Sequence, residues 1–474
     1  MLGGSGWERL SALDAMFLGI ESDNAPMHVG ALTVFEGKGL LDQAGNIDRG
    51  RYRQYVQGFL KYLPRFRRRL TRVPLLGRPV LVTDDAFDLD HHLQFTAARS
   101  NDPRELESIA AEIFSRPLDR QHPLWEQHAI ERLGGDRFAT LTKVHHAVLD
   151  GMSGMGSLLS ILRTAPDPAA SFGPPPLFSV PPPGADLLSA ELRHRGHDPA
   201  ALYQRLRDFS ALRARVRNIS EGCAALTSGN WRPAPETILN PQAVGPRRCF
   251  RGVKLDLEEV KAVRRASGTK INDVVLATVA GALRRFFEHR RLQLGDEPLR
   301  CMVPVSLHEA ASHDVSGNAV SILIVPLFAR ERDPVLCLRA IAAATRDAKR
   351  RHQSDAFAVT TGLAEWGWSG LMPWVTRLAM QRRPFNLVVT NVPGPPYPLY
   401  LLDAKLTELY PVVPLFQNQG LGIALVSYAG SLFWGLNADA DLLPDLQVLA
   451  DAIVDSFAEL RNAHLAGARQ QLSA

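Results

Sequence analysis

Long apolar runs are missing from this chain. No stretch of about 20 apolar residues is available to span a bilayer. The most apolar window, 421–436, carries Ser427, Ser431 and glycines at 422, 430 and 435. It reads better as a β-hairpin turning at Ala429-Gly430-Ser431. The uncharged core of a secretion signal is also missing, because Glu8 and Asp14 interrupt the apolar residues near the start. Cysteine is scarce. Cys223, Cys249, Cys301 and Cys337 stand far apart with no CxxC pair, which argues against a zinc cluster and a disulfide framework and fits a reducing compartment. Charge of one sign is not in large excess. The formal net charge is +5 over 474 residues, compatible with an anionic substrate or an anionic membrane surface but demanding neither. There is no GxSxG nucleophile elbow. Gly151-Met152-Ser153-Gly154-Met155-Gly156 reads GxxGxG rather than GxGxxG, and no P-loop lysine follows it.

What is present is ample material for a large core. Hydrophobic residues make up 46% and charged residues 22%, ordinary values for a globular protein, and the length favours two domains. A composition break marks the join. It opens with Ala165-Pro166-Asp167-Pro168 and runs through two triple-proline segments at 174–176 and 181–183, which favour extended spacers. A basic helical stretch, Asp198 to Ile219, and the Trp231-Arg232-Pro233-Ala234-Pro235 loop follow. The expected organisation is therefore an N-terminal domain over 1–165, a crossover linker over 166–245 and a C-terminal domain over 246–474. Helix signals recur in both halves. Asp102-Pro103-Arg104-Glu105 supplies a cap, a first-turn proline and an acid three residues on. Asp256 with Glu259 supplies a second capping box, and Gly268 a stop. Val274–Phe287 reads as a buried helix. Strands are expected at Val303, over Val320–Val325, over Leu387–Thr390 and over Ile423–Ser427.

The densest chemistry lies at Val144-His145-His146-Ala147-Val148-Leu149-Asp150-Gly151. Phe138–Val144 before it is β-branched and apolar and reads as a strand; Met152–Arg163 after it reads as a helix. The histidine pair thus stands at a strand end, where side chains can be presented to a cleft. Histidine is suited to take a proton near neutral pH. Asp150 can orient it or hold the turn, and Gly151 permits a tight bend.

His-His-x-x-x-Asp-Gly resembles the signature of the bacterial wax ester synthase/diacylglycerol acyltransferase family, itself similar to the coenzyme A-dependent acyltransferases of the chloramphenicol acetyltransferase type. Leu13-Asp14-Ala15-Met16-Phe17, Pro26-Met27-His28-Val29-Gly30, Pro123-Leu124-Trp125-Glu126, Asn272-Asp273-Val274-Val275-Leu276-Ala277 and Asn391-Val392-Pro393-Gly394-Pro395 resemble further family blocks, in the family's order. The resemblance implies an α/β fold of two chloramphenicol acetyltransferase-like domains, each a mixed β-sheet flanked by helices. It implies acyl transfer from acyl-CoA to diacylglycerol or a long-chain alcohol, with acyl-CoA as substrate and no cofactor. On the same footing His146 is the general base, His145 a supporting residue and Asp150 with Gly151 the organisers of the turn. A metal is not expected, since no third ligand lies nearby in sequence.

The remaining residues carry alternatives. Asn272 at a helix start is a good cap and could also polarise a thioester carbonyl; Asp273 stands beside it. Arg65, Arg67, Arg68 and Arg69 form the densest basic cluster, readable as a solvated helix face or as a contact for coenzyme A phosphates or anionic lipid headgroups. Nucleic acid is not an expected partner, because aromatic platforms are not interleaved. His91-His92 reads as an exposed pair at a strand edge, and Trp125 as core. Trp366, Trp368 and Trp374 read as core or as a lipid-interface surface. The expected location is cytoplasmic, with peripheral contact to the inner membrane face or to lipid inclusions. Two rival activities remain at this stage. One is a carrier-protein-dependent, condensation-type acyltransferase, which the absence of flanking carrier or adenylation regions disfavours. The other is a non-catalytic lipid-binding protein of the same fold.

Overall fold

A computed structural model describes residues 6–149, 156, 159, 161–167, 180–195, 233–306, 320–355 and 382–472. Asp150, Gly151, most of the helix expected over Met152–Arg163, the helix expected from Asp198 to Ile219, and Trp366, Trp368 and Trp374 lie outside the described residues.

The described strands are β1 (Trp7–Arg9), β2 (His28–Glu36), β3 (Arg68–Arg72), β4 (Pro79–Thr83), β5 (Leu93–Ala97), β6 (Trp125–Glu131), β7 (Arg137–His145) and β8 (Arg248–Asp256). They continue with β9 (Leu299–Ser306), β10 (Val320–Leu327), β11 (Leu387–Pro393), β12 (Tyr400–Leu401), β13 (Ala404–Val412), β14 (Leu421–Tyr428) and β15 (Ser431–Asp439). One six-stranded sheet runs β12-β13-β2-β7-β6-β5, a second runs β10-β9-β11-β14-β15-β8, and a small sheet runs β1-β4-β3. Both large sheets are mixed. In the first, only β5 and β6 are parallel. In the second, β11 runs parallel to β9 and to β14. This is the expected α/β architecture.

The local signals act as the sequence implies. Asp102 accepts the Arg104 N–H at the start of the Pro103–Ser115 helix, and Asp256 accepts the Glu259 N–H at the start of the Leu257–Ser267 helix. Gly268, at φ +65°, ends that second helix in the left-handed region. Ala429 and Gly430 both have positive φ and join β14 to β15 with Tyr428 opposite Ser431, a two-residue turn whose twist suits a hairpin.

The halves are more entangled than the 1–165, 166–245 and 246–474 division suggests. β13, from the C-terminal half, pairs antiparallel with β2 and completes the N-terminal sheet. Without it, β2 would present an open edge. The expected linker also contains a helix, Gly184–Arg195. Leu187 of that helix is buried against Val80 and Val82 of the small sheet and Val73 of its turn. The Pro103–Ser115 helix is the other fastener. Its Ala110, Ile113 and Phe114 pack under Ala139 and Leu141 of β7 and against Phe250 of β8. Ser115 Oγ accepts the Arg248 N–H at 2.8 Å, and Glu107 accepts the Gly252 N–H at 2.8 Å. The strand that ends at His145 is thereby clamped to both halves.

Candidate active site

β7 delivers the two histidines. Alternation along the strand sends Lys143 and His145 to the face that carries the Pro103–Ser115 helix, and Val144 to the opposite core. The strand then tightens into a single 3-10 turn, His146–Val148. Two backbone bonds fix the place of this turn: His145 N–H donates to Leu124 O at 2.9 Å, and His146 N–H donates to Met27 O at 2.8 Å. Both acceptors lie in blocks singled out in the sequence, Pro123-Leu124-Trp125 and Pro26-Met27-His28.

His145 is buried and spoken for at both nitrogens. Its Nδ1 accepts the Ala147 N–H at 3.0 Å, so the 3-10 turn is capped by the residue that precedes it. With Nδ1 an acceptor, the neutral ring carries its proton on Nε2, which donates to Glu21 Oε2 at 3.1 Å. Glu21 is held in turn by Arg120. Against burial, the hydrogen bonds from His145 and Arg120 and the charge of Arg120 hold the Glu21 carboxyl below its ordinary range. His145 therefore ties the 3-10 turn to Glu21 through both ring nitrogens. Opposite it in register stands His28, buried and kept neutral. Burial first, then the charge of Lys143, drives its pKa well below the ordinary value.

His146 differs. Its ring stacks on Phe17, with centroids 3.8 Å apart and planes 21° apart. Its Nδ1 is buried and has no hydrogen-bond partner among the described residues. Burial, with His145 adding to it, pushes the imidazole down to about 4. At neutral pH the ring is neutral and holds a lone pair for a proton. Phe17 belongs to a cluster with Met27 of the N-terminal half, Val244 at the end of the linker and Phe416 of the C-terminal half. His146 thus stands at the junction of the halves. A cavity of about 270 Å³ opens at the same junction, lined by Ser22, Asp23, Asn24, Ala243, Val244 and Gln417.

Lys143, two residues before His145, is fully buried. Its Nζ donates to Ile113 O at 3.1 Å and to Arg116 O at 3.0 Å, and pairs with Glu126 at 3.0 Å. It satisfies carbonyls at the C-terminal end of the Pro103–Ser115 helix, where a cation is favoured.

The two C-terminal blocks meet. Asn391 Nδ2, on β11, donates to Asn272 Oδ1 at 2.7 Å. Just beyond, Gly394 N–H donates to Ser427 Oγ, and a Cβ at Gly394 would come within 2.3 Å of Ser427 O. The expectation that Asn272 caps the helix needs correction. Ile271–His289 begins two residues earlier than such a cap would place it, with Lys270 at the cap position, and the Lys270 N–H is accepted by Asp273 Oδ2 at 2.9 Å. Asp273 is buried and committed to the helix start.

The arginine cluster departs from a solvated helix face. Arg65 and Arg67 lie in a short 3-10 turn, and Arg68 and Arg69 in β3. Arg65 and Arg68 are only 16% and 15% exposed, and both pair with Glu8. Arg65 also approaches Asp14, and Arg69 approaches Asp84. Arg67 lies over the Phe87 ring at 4.6 Å. Carboxylates far away in sequence have neutralised much of this cluster, which weakens it as a contact for phosphates or headgroups. His92 is likewise not exposed. It is buried between Phe87 and Trp125, with stacked centroids at 5.0 and 4.5 Å, and its Nδ1 lies 2.8 Å from Trp125 O. Trp125 is core, with its indole N–H donating to Phe66 O at 2.7 Å. Among the described residues no cluster of three or more metal-ligating side chains occurs. Glu21 and Arg120 escaped sequence reasoning, since nothing local marks a glutamate 124 positions from its histidine.

The wax ester synthase/diacylglycerol acyltransferase catalytic-domain model matches residues 10–275, and the model of the family's C-terminal domain matches residues 316–461. A Mycobacterium tuberculosis protein named a probable diacylglycerol O-acyltransferase is 32% identical, over 95% of this chain and 98% of its own length. The wax ester synthase/diacylglycerol acyltransferase of Marinobacter aquaeolei VT8 is 30% identical, with a TM-score of 0.67 over 96% of this chain and 99% of that one. The starter condensation domain of rhizomide synthetase, at 12% identity and a TM-score of 0.57 over 97% and 95% of the two chains, shares the fold. An acyltransferase fold, a histidine pair at the end of a central strand and this full-length similarity lead to one assignment: the chain belongs to the wax ester synthase/diacylglycerol acyltransferase family of acyltransferases.

Proposed function

We propose that the chain transfers a fatty acyl group from acyl-CoA to diacylglycerol, to a long-chain alcohol or to both, with His146 as general base and without a cofactor. The observation that carries this reading is a neutral His146 with a fixed backbone, beside a histidine whose own nitrogens are both occupied. As the acceptor hydroxyl attacks the thioester carbonyl, its proton passes to the lone pair of His146. An O–C bond forms, the C–S bond breaks, and the same proton passes on to the departing sulfur. Coenzyme A brings an activated acyl group, so a covalent acyl-enzyme is not needed. The oxyanion needs a donor. Asn272 is suited to the part, because Asn391 occupies its Oδ1 and thereby orients its Nδ2–H donors. Asp150 and Gly151 keep their proposed role in the turn.

Both acceptors are poorly soluble in water, so the protein would meet them at a cytoplasmic membrane face or a lipid inclusion. No described helix is long and apolar enough to cross a membrane, and the contact proposed is peripheral. The test is one assay: labelled palmitoyl-CoA offered dioleoylglycerol and hexadecanol in parallel, reading ester formation and thiol release. Triacylglycerol, wax ester or both should appear with matching thiol. Neither ester from a folded protein would contradict the proposal.

A further inference from the structure

The hairpin between β3 and β4 carries an apolar tip that the core does not use. Its turn runs Val73-Pro74-Leu75-Leu76-Gly77-Arg78. Leu75 is 93% exposed, and its φ is +63°. A bulky side chain in the left-handed region is an outlier. Exposing a leucine and straining it together point to a task outside the fold.

The mount of this tip is firm. Val73 is buried, Leu76 packs on the same cluster, and Val73 N–H and Gly77 N–H are bonded across the turn. Arg78 is buried against Glu191 of the Gly184–Arg195 helix, and the start of that helix sits beside Pro74. Charge marks the base of the tip. Arg72 is exposed, and its guanidinium donates to Gly77 O at 2.8 Å. A rigid apolar tip with a cation at its base suits an anionic lipid surface. The leucine enters the acyl region, the arginine stays at headgroup level, and little conformational freedom is lost.

We infer that the 73–78 hairpin is the element that inserts into an anionic membrane or lipid-body surface, with Leu75 as anchor and Arg72 as its electrostatic partner. The inference rests on the proposed use of lipid acceptors, but its test needs no catalysis. Flotation with vesicles of phosphatidylcholine alone, or of phosphatidylcholine with phosphatidylglycerol, reads binding directly. Leu75→Asn suits the left-handed backbone, so its melting midpoint should be equal or higher. Burying a leucine fully is worth roughly a 10- to 100-fold change in binding, and Leu75→Asn should lose a change of that order on anionic vesicles. Leu75→Trp should bind more tightly, and this variant decides the matter if the Asn variant melts early. Arg72→Gln should weaken binding on anionic vesicles at low salt and leave neutral vesicles unaffected. Unchanged binding in the Leu75 variants would overturn the inference, as would a wild type that never floats. Ester formation from detergent-dispersed substrates, measured separately, should be equal in Leu75→Asn and wild type. Failure of wild type there would indict the functional proposal rather than the hairpin.

Discussion

Acidification should reveal the burial of His146 as a loss of stability. An unfolded histidine titrates near 6.5, whereas His146 in the folded protein is pushed down to about 4. Above pH 6.5 both states are neutral at this residue and it contributes no pH dependence. Between 6.5 and 4 the unfolded chain binds a proton that the folded chain refuses, so stability falls as the pH falls. The slope approaches about 1.4 kcal/mol per unit, and the loss between pH 7.5 and 5 comes to about 2 kcal/mol. His28, whose pKa also lies well below the ordinary value, adds a loss of the same sign. Glu21, held below its ordinary value of 4.5, contributes stability that disappears only under more acid conditions, outside this window. His146→Gln removes the His146 share and leaves the rest. Urea unfolding of wild type and variant at pH 7.5 and pH 5 isolates it: the variant should gain about 2 kcal/mol on wild type as the pH is lowered. An identical gap at the two pH values would refute the idea that His146 is buried and neutral.

Other perturbations test other parts of the account. Lys143→Met strips two helix carbonyls and Glu126 of their partner; urea unfolding should show a loss of about 3 kcal/mol, and adding Glu126→Gln should recover part of it. Gly394→Ala forces a Cβ onto the Ser427 carbonyl and should cost about 1–3 kcal/mol by thermal unfolding, whereas a neutral outcome would mean the β11–β14 junction has slack. Asn272→Ala should lower kcat about 100-fold with little change in KM if Asn272 serves the oxyanion; a change confined to stability would leave it a structural partner of Asn391.

How much of this was legible beforehand depended on distance along the chain. Asp102, Asp256, Gly268 and the Ala429-Gly430 turn act on neighbours within a few residues, and each behaves as its chemistry dictates. β7, which ends at His145, is likewise legible in the apolar and β-branched run Phe138–Val144 just before the pair. Partners across long separations were not. Ala404–Val412 is not among the expected strands, and nothing in it says that it pairs with β2 rather than with its own half. The arginines around Arg67 read as a free basic patch because Glu8, Asp14 and Asp84 are remote from them in sequence. His92 read as exposed because its burial comes from Phe87 and Trp125 closing over it. Glu21 was invisible for the same reason, although it organises the site through His145.

The central claim is that His146, and not His145, takes the proton. Its most direct test is the steady-state rate of ester formation by folded His146→Ala and His145→Ala with acyl-CoA and diacylglycerol or hexadecanol. Loss of a general base is worth about 10²–10⁴-fold in kcat, and His146→Ala should show a loss of that size while binding acyl-CoA normally. His145→Ala should lose less, through a loosened 3-10 turn. A near wild-type rate in His146→Ala, or a larger loss in His145→Ala, would contradict the mechanism.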